Sequence, residues 1–226
     1  MVLAAATAFL GTHFLLSHPL RAPIVGRIGE GPFLGLYSLV AAAMLGWLVF
    51  AWNAADPGPL WWEVGDGLWA LATVIMLVAS VLLIGSLIGN PALPNPGTPG
   101  PAPAEARGVF AITRHPMMWS FALWGVAHIL VFPTTANIIL AKAIIVQALV
   151  GAALQDRKKE KLQPDRWRAW EGRTSYWPFA AIAAGRARFG GFRPHDWAGG
   201  LILWATATWA HIPLAGMPAG IWRWIG

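Results

Sequence analysis

The chain has 226 residues, 57% of them hydrophobic and only 12% charged, with a mean hydropathy of +0.55. Soluble domains average about 25% charged residues, so this composition describes a polytopic membrane protein, read here as one all-α helix bundle over residues 1–226. The absence of cysteine excludes disulfides, thiolate zinc sites, cysteine nucleophiles and thiolate-ligated haem, and the net charge of +6 reads as a solvated basic face, not a nucleic-acid site.

Apolar runs predict six helices, at 2–18, 33–53, 67–88, 117–132, 135–154 and 197–213. A bilayer-crossing helix needs roughly 20 mostly apolar residues. The first run has neither a basic leader nor a small-residue cleavage site, which argues against a removable signal peptide. Residues 90–103 form a Pro/Gly linker between a three-helix front half and the rest. The fourth and fifth runs, joined by a short turn, form an antiparallel hairpin. Residues 155–171 are strongly charged, with Trp167 and Trp170 three apart, as in an interfacial helix whose apolar face lies on the bilayer. Fifteen Trp suit rings seated at membrane interfaces.

Charge sets an orientation. Fourteen of the 16 Lys and Arg fall in the loops after the first run, before the fourth, and between the fifth and sixth. In a six-span chain these loops share one side, while the opposite loops carry Asp56, Glu63 and Asp66. The positive-inside rule makes the basic side cytoplasmic and places both termini outside. The expected location is a bacterial inner membrane, with membrane lipids as partners and an apolar small-molecule substrate; the oligomeric state is open.

Ionisable groups inside an apolar span are costly, so each is a candidate for function. His13 lies within the first run and His128 near the outer end of the fourth. Each is either a functional group or an interhelical hydrogen-bonding residue. Arg114 and His115 precede Pro116, which suits the first turn of a helix because its missing N–H has no helical partner there. Two side chains able to carry positive charge at that point make a site for an anionic group, or an Arg reaching to lipid headgroups. His115 and His128 are 13 residues apart, about 20 Å along a helix, so they cannot ligate one iron. Lys142 is mid-span, either snorkelling or facing His128, and Gln147 reads as a packing hydrogen bond. His18, His195 and His211 read as interfacial polar residues.

The segment Ala111-Ile112-Thr113-Arg114-His115-Pro116, followed by Trp124-Gly125-Val126-Ala127-His128, resembles the NnrU family, which includes a plant carotenoid isomerase. Gln155-Asp156-Arg157-Lys158, Arg173-Thr174-Ser175 and the pattern of His13, Arg21, Arg27-Ile28-Gly29-Glu30 and Leu36-Tyr37-Ser38 extend the likeness across residues 8–190. The resemblance implies haem b held by histidine, with proposed ligand positions on His13 and His128 and the Arg-His-Pro histidine on His115. By the same likeness, a family histidine falls on Gln147 and a family cysteine on Trp124. Arg114 and Arg21 would then neutralise the propionates, and Asp156 would anchor an arginine. The implied activity is carotenoid cis–trans isomerisation, or support of nitrite and nitric oxide reduction. Membrane methyltransferases also carry an Arg-His-Pro helix start, so S-adenosylmethionine is the alternative cofactor, with Glu160, Glu171 and Tyr176 in its site. A non-catalytic membrane accessory is the third reading.

Overall fold

The computed structural model describes residues 1–93 and 100–225. Helix α1 (Val2–Ser17) leads through an elbow into α2 (Arg21–Ile28), then α3 (Glu30–Asn53) and α4 (Asp66–Gly85). The second half runs through a single turn, α5 (Val109–Ile112), then α6 (Pro116–Val131), α7 (Thr135–Leu162) and α8 (Pro164–Glu171). The turn α9 (Ala180–Ala183), the long α10 (Pro194–Ala215) and the terminal turn α11 (Trp222–Ile225) follow. Among the described residues the regular structure is entirely helical.

All six predicted runs are helical. Three of them, α3, α4 and α7, are long and apolar enough to cross a membrane, and α1 with α2 makes a fourth if that pair, bent by 62°, is one span. Helix α6 has 16 residues, just under the roughly 17 at the lower end of the range for crossing helices. Length and composition therefore support three to four spans where six were expected. Leu39, Phe50, Val74, Ile202 and Leu214 are exposed on helix surfaces, as lipid-facing side chains are.

The long helices lie side by side in an order that differs from the chain. Helix α1 packs between α3 and α7, α7 meets α6, α6 meets α4, and α4 meets α10. Glycines permit the closest crossings. A Cβ on Gly125 of α6 would stand 2.7 Å from Ile145 and 3.0 Å from the Ala141 carbonyl of α7, and one on Gly200 of α10 would stand 2.7 Å from the Val81 backbone of α4. The expected α6–α7 hairpin is present. Asn137 donates to the carbonyls of His128 (2.9 Å) and Phe132 (2.7 Å), each of which also accepts a backbone N–H, so its side-chain amide ties α7 to the end of α6.

Residues 155–171 depart from the expected interfacial helix. The charged stretch 155–162 continues α7 without a break, and the helix stops at Gln163 because Pro164 cannot supply the next backbone donor. Trp167 and Trp170 do not lie on the bilayer. Both are fully buried, packed with Val81, Leu82, Val109 and Phe110. The two rings bring a large apolar area into this cluster, although among the described residues neither buried indole N–H has a hydrogen-bond partner.

Of the linker 90–103, residues 94–99 lie outside the described residues. The carbonyls of Pro91 and Ala92 accept from Lys159 and Gln155, and those of Gly100 and Pro103 accept from Arg166 and Arg173. The linker ends are thus fastened to the start and end of the α7–α8 corner.

Candidate functional site

The Arg-His-Pro segment begins where α5 ends. Thr113 is extended (φ −154°, ψ 152°), and its neighbours pair with the loop after α8: the Arg114 N–H donates to the Ser175 carbonyl (2.8 Å), and the Phe179 N–H donates to the Ile112 carbonyl (2.8 Å). The Thr113 hydroxyl donates to the Tyr176 carbonyl (2.8 Å), which also accepts from the Trp119 indole N–H (3.0 Å). Three carbonyls at the end of α8, those of Glu171, Gly172 and Thr174, accept from the Arg186 guanidinium. Phe179, at φ 65°, holds the left-handed conformation that closes this loop.

This framework fixes the Arg114 and His115 side chains against α7. Asp156 Oδ2 accepts from Arg114 Nε (2.9 Å) and Nη2 (2.6 Å), while its Oδ1 is 2.7 Å from His115 Nε2. Arg114 also lies 3.2 Å from Glu171 Oε1 at the end of α8. His115 is 2% exposed. The anionic group expected at Arg114 and His115 is the chain's own Asp156, so these donors are engaged from within. Aromatic rings wall the network: Trp167 and Tyr176 stand 6.4 and 6.0 Å from the His115 ring, and Trp119 stands 6.3 Å from Tyr176 and 5.6 Å from Trp177.

Burial raises the Glu171 carboxyl above its ordinary range; Asp156 and Glu160 nearby add to the rise, and Arg114 opposes it. Burial also pushes the Tyr176 phenol up. That hydroxyl donates to the Leu149 carbonyl at 2.7 Å. Of the three residues of the methyltransferase alternative, Glu171 pairs with Arg114, Glu160 lies beside Glu171, and the Tyr176 ring stands against His115. The roles of Trp167 and Thr113 in this site were missed. Only the distance between residues 113 and 175 in sequence hid the second.

The other predicted residues are elsewhere. His13 sits between Phe9 (5.1 Å) and Tyr37 (5.2 Å), and among the described residues its buried Nδ1 has no hydrogen-bond partner. The Oε1 of Gln147 is likewise buried without a partner among the described residues. Gln147 and Phe14 both border Gly151, which places His13 beside the middle of α7. His128 is near the start of α7, where its carbonyl meets Asn137. Its Nδ1 pairs with the Trp124 carbonyl (2.8 Å), and its ring lies 4.0 Å from Trp124 and 6.2 Å from His211 of α10. Lys142 is exposed. Arg21 is bound by Glu30 at 2.5 and 2.7 Å, and Arg157 lines a separate cleft.

Along α7, Asn137 and the Gln147–Gly151 level are ten to fourteen residues apart, about 15–20 Å at 1.5 Å per residue. His13 and His128 therefore stand at different depths, and one iron does not reach both. Haem b with that axial pair does not fit this packing. Arg114 and Arg21 are each paired with carboxylates of the chain, Arg114 with Asp156 and Glu171 and Arg21 with Glu30.

Several long apolar helices with a buried ionic clasp at their basic end define an integral membrane helix bundle. The chain belongs to the NnrU family, whose model, described as "NnrU protein", matches residues 1–219. It is similar to the 15-cis-zeta-carotene isomerase, chloroplastic, of Arabidopsis thaliana, with 37% identity over 79 residues, 35% of this chain and 22% of the relative. The protein of the same name in Zea mays is 33% identical over 81 residues, 36% of this chain and 22% of the relative. The chain thus matches about a fifth of the length of these relatives. No solved structure matches.

Proposed function

We propose that this membrane protein isomerises a cis double bond of an apolar polyene drawn from the bilayer. The observation that carries the reading is the similarity to two proteins named as carotene isomerases. The site's chemistry supports it. Isomerisation neither adds nor removes atoms, so the protein has to seat the substrate, exclude water and hold one bond in a twisted geometry. Flat faces of Trp119, Tyr176 and Trp177 beside an apolar helix row suit a conjugated chain. The Arg114–Asp156–His115 clasp holds those rings in place through the loop at Ser175 and Tyr176.

The test is to incubate purified protein in liposomes with 15-cis-ζ-carotene in the dark, oxidised and after dithionite, and to separate the isomers by chromatography. Wild type converts cis to trans, and Trp119→Ala with Trp177→Ala slows conversion at least tenfold while leaving the fold intact. No conversion by wild type in either redox state rejects the reading.

We also propose that α1, α3, α4, α6, α7 and α10 all cross the bilayer with the basic end cytoplasmic, on the strength of the loop charges. A chain without cysteine allows a direct test. Gly58→Cys is labelled by an impermeant maleimide in intact cells and Gly190→Cys only after permeabilisation; the reverse pattern overturns the orientation.

A further inference from the structure

The last turns of α7 present three faces with three separate tasks. Gln155 and Lys159 hold the linker carbonyls, and Asp156 holds Arg114 and His115. The third face is Leu154, Arg157, Lys158 and Lys161, spaced i, i+3, i+4 and i+7, which puts all four on one stripe. This stripe looks across at the α1–α2 elbow, and together they enclose a cleft of about 320 Å³ lined also by Ser17, His18, Arg21 and Leu162.

Cations outnumber carboxylates at this cleft, where Glu30 pairs with Arg21 and also lies near Lys158. Arg21 is neutralised by Glu30, but among the described residues Arg157, Lys158 and Lys161 have no carboxylate within 4.0 Å. His18 adds a ring whose Nδ1 is 2.7 Å from the Ser17 hydroxyl and whose buried Nε2 has no partner among the described residues. Three like charges held on one helical stripe repel one another unless an anion lies between them. Leucines at both ends of the stripe give the cleft an apolar margin that water-soluble anion sites do not need.

We infer that this elbow cleft binds a phosphate-bearing anion, held by Arg157, Lys158 and Lys161. The inference does not rest on the polyene reading. The cleft is at the basic end of the bundle, where phospholipid headgroups would lie in the proposed orientation, and the leucine margin admits the first methylenes of acyl chains. A free phosphate ester would use the same cations without that margin.

The experiment follows the melting midpoint of detergent-purified protein titrated with phosphatidylglycerol, phosphatidylcholine or inorganic phosphate. Phosphatidylglycerol raises the wild-type midpoint and phosphatidylcholine does not. Each cation removed from such a surface weakens binding about fivefold, so R157Q/K161Q shifts the half-saturating concentration by about 25-fold. R188Q removes a charge outside the cleft and leaves it unchanged. Lys158→Gln is the second variant, expected to lose about fivefold; if the double variant does not fold, Lys158→Gln alone decides. A response to lipid but not to inorganic phosphate identifies a headgroup, and a response to both identifies phosphate itself. Equal binding by wild type and the cleft variants, equal loss in R188Q, or an equal response to phosphatidylcholine overturns the site.

Discussion

Asp156 Oδ1 lies 2.7 Å from His115 Nε2, joining the middle of the Arg-His-Pro segment to a residue 41 positions later. The same carboxylate takes two bonds from Arg114. One acid on α7 thereby fixes the start of α6 and, through Arg114 and Glu171, the end of α8.

Removing that acid leaves an arginine poorly partnered in a nearly enclosed site. Breaking one side of a buried pair costs about 3–5 kcal/mol. Asp156→Ala should lose stability on that scale, with Asp156→Asn retaining part of it through one accepted bond. Thermal unfolding in detergent measures the loss, and an unchanged midpoint in Asp156→Ala would show that the clasp is not structural.

Gly125 sets how closely α6 approaches α7. Its replacement by alanine drives a methyl against Ile145 and the Ala141 carbonyl, and the carbonyl cannot move without unwinding α7. Overpacking of this kind costs about 1–3 kcal/mol. The hairpin variant should therefore melt several degrees lower, and a further drop is expected for Gly125→Val.

Depth separates His13 from His128, so substitutions at the two should act independently. Stability changes of His13→Ala and His128→Ala should sum in the double variant to within about 0.5 kcal/mol, as for distant sites. Absorption spectra of the same proteins supply a second readout. A Soret band lost equally in both single variants would mean that a shared iron joins them and that the packing of α1 against α7 differs from the one described.

Glu171 gives the site a pH dependence. Its carboxyl is raised by burial, so the folded protein holds that proton more tightly than the unfolded chain. The associated stability is fully present below the unfolded value and is lost as pH rises through the folded one. Glu171→Gln, which resembles the protonated form, should flatten that decline as pH rises above the ordinary carboxylate range. Parallel pH–stability curves for the two proteins would contradict the assignment.

The six apolar runs were readable because helix formation in a hydrocarbon-rich chain depends on local composition, and each appears near its expected place. Pro116 at the start of α6 and the short turn at Thr134 were local signals too, and the family was legible in the Arg-His-Pro and Trp124–His128 motifs. The partners of Arg114 were not, because a charge pair 42 residues apart has no local signature. Trp167 and Trp170 show the same limit from the apolar side. Two tryptophans on a charged helix satisfy either a bilayer surface or a protein core, and only the packing of α8 beneath α4 and α5 chose the core.

The sequence by itself determined a helical membrane protein, its basic end and its family, since these follow from composition and from motifs contiguous in the chain. Tertiary structure decided which groups meet. It supplied Asp156 as the anion for Arg114 and His115, set His13 and His128 at different depths, and turned Arg157, Lys158 and Lys161 towards the elbow of α1 and α2. Each of these depends on the order in which the helices lie side by side, and side-by-side order is set by the fit of neighbouring helix surfaces, which no single helix encodes.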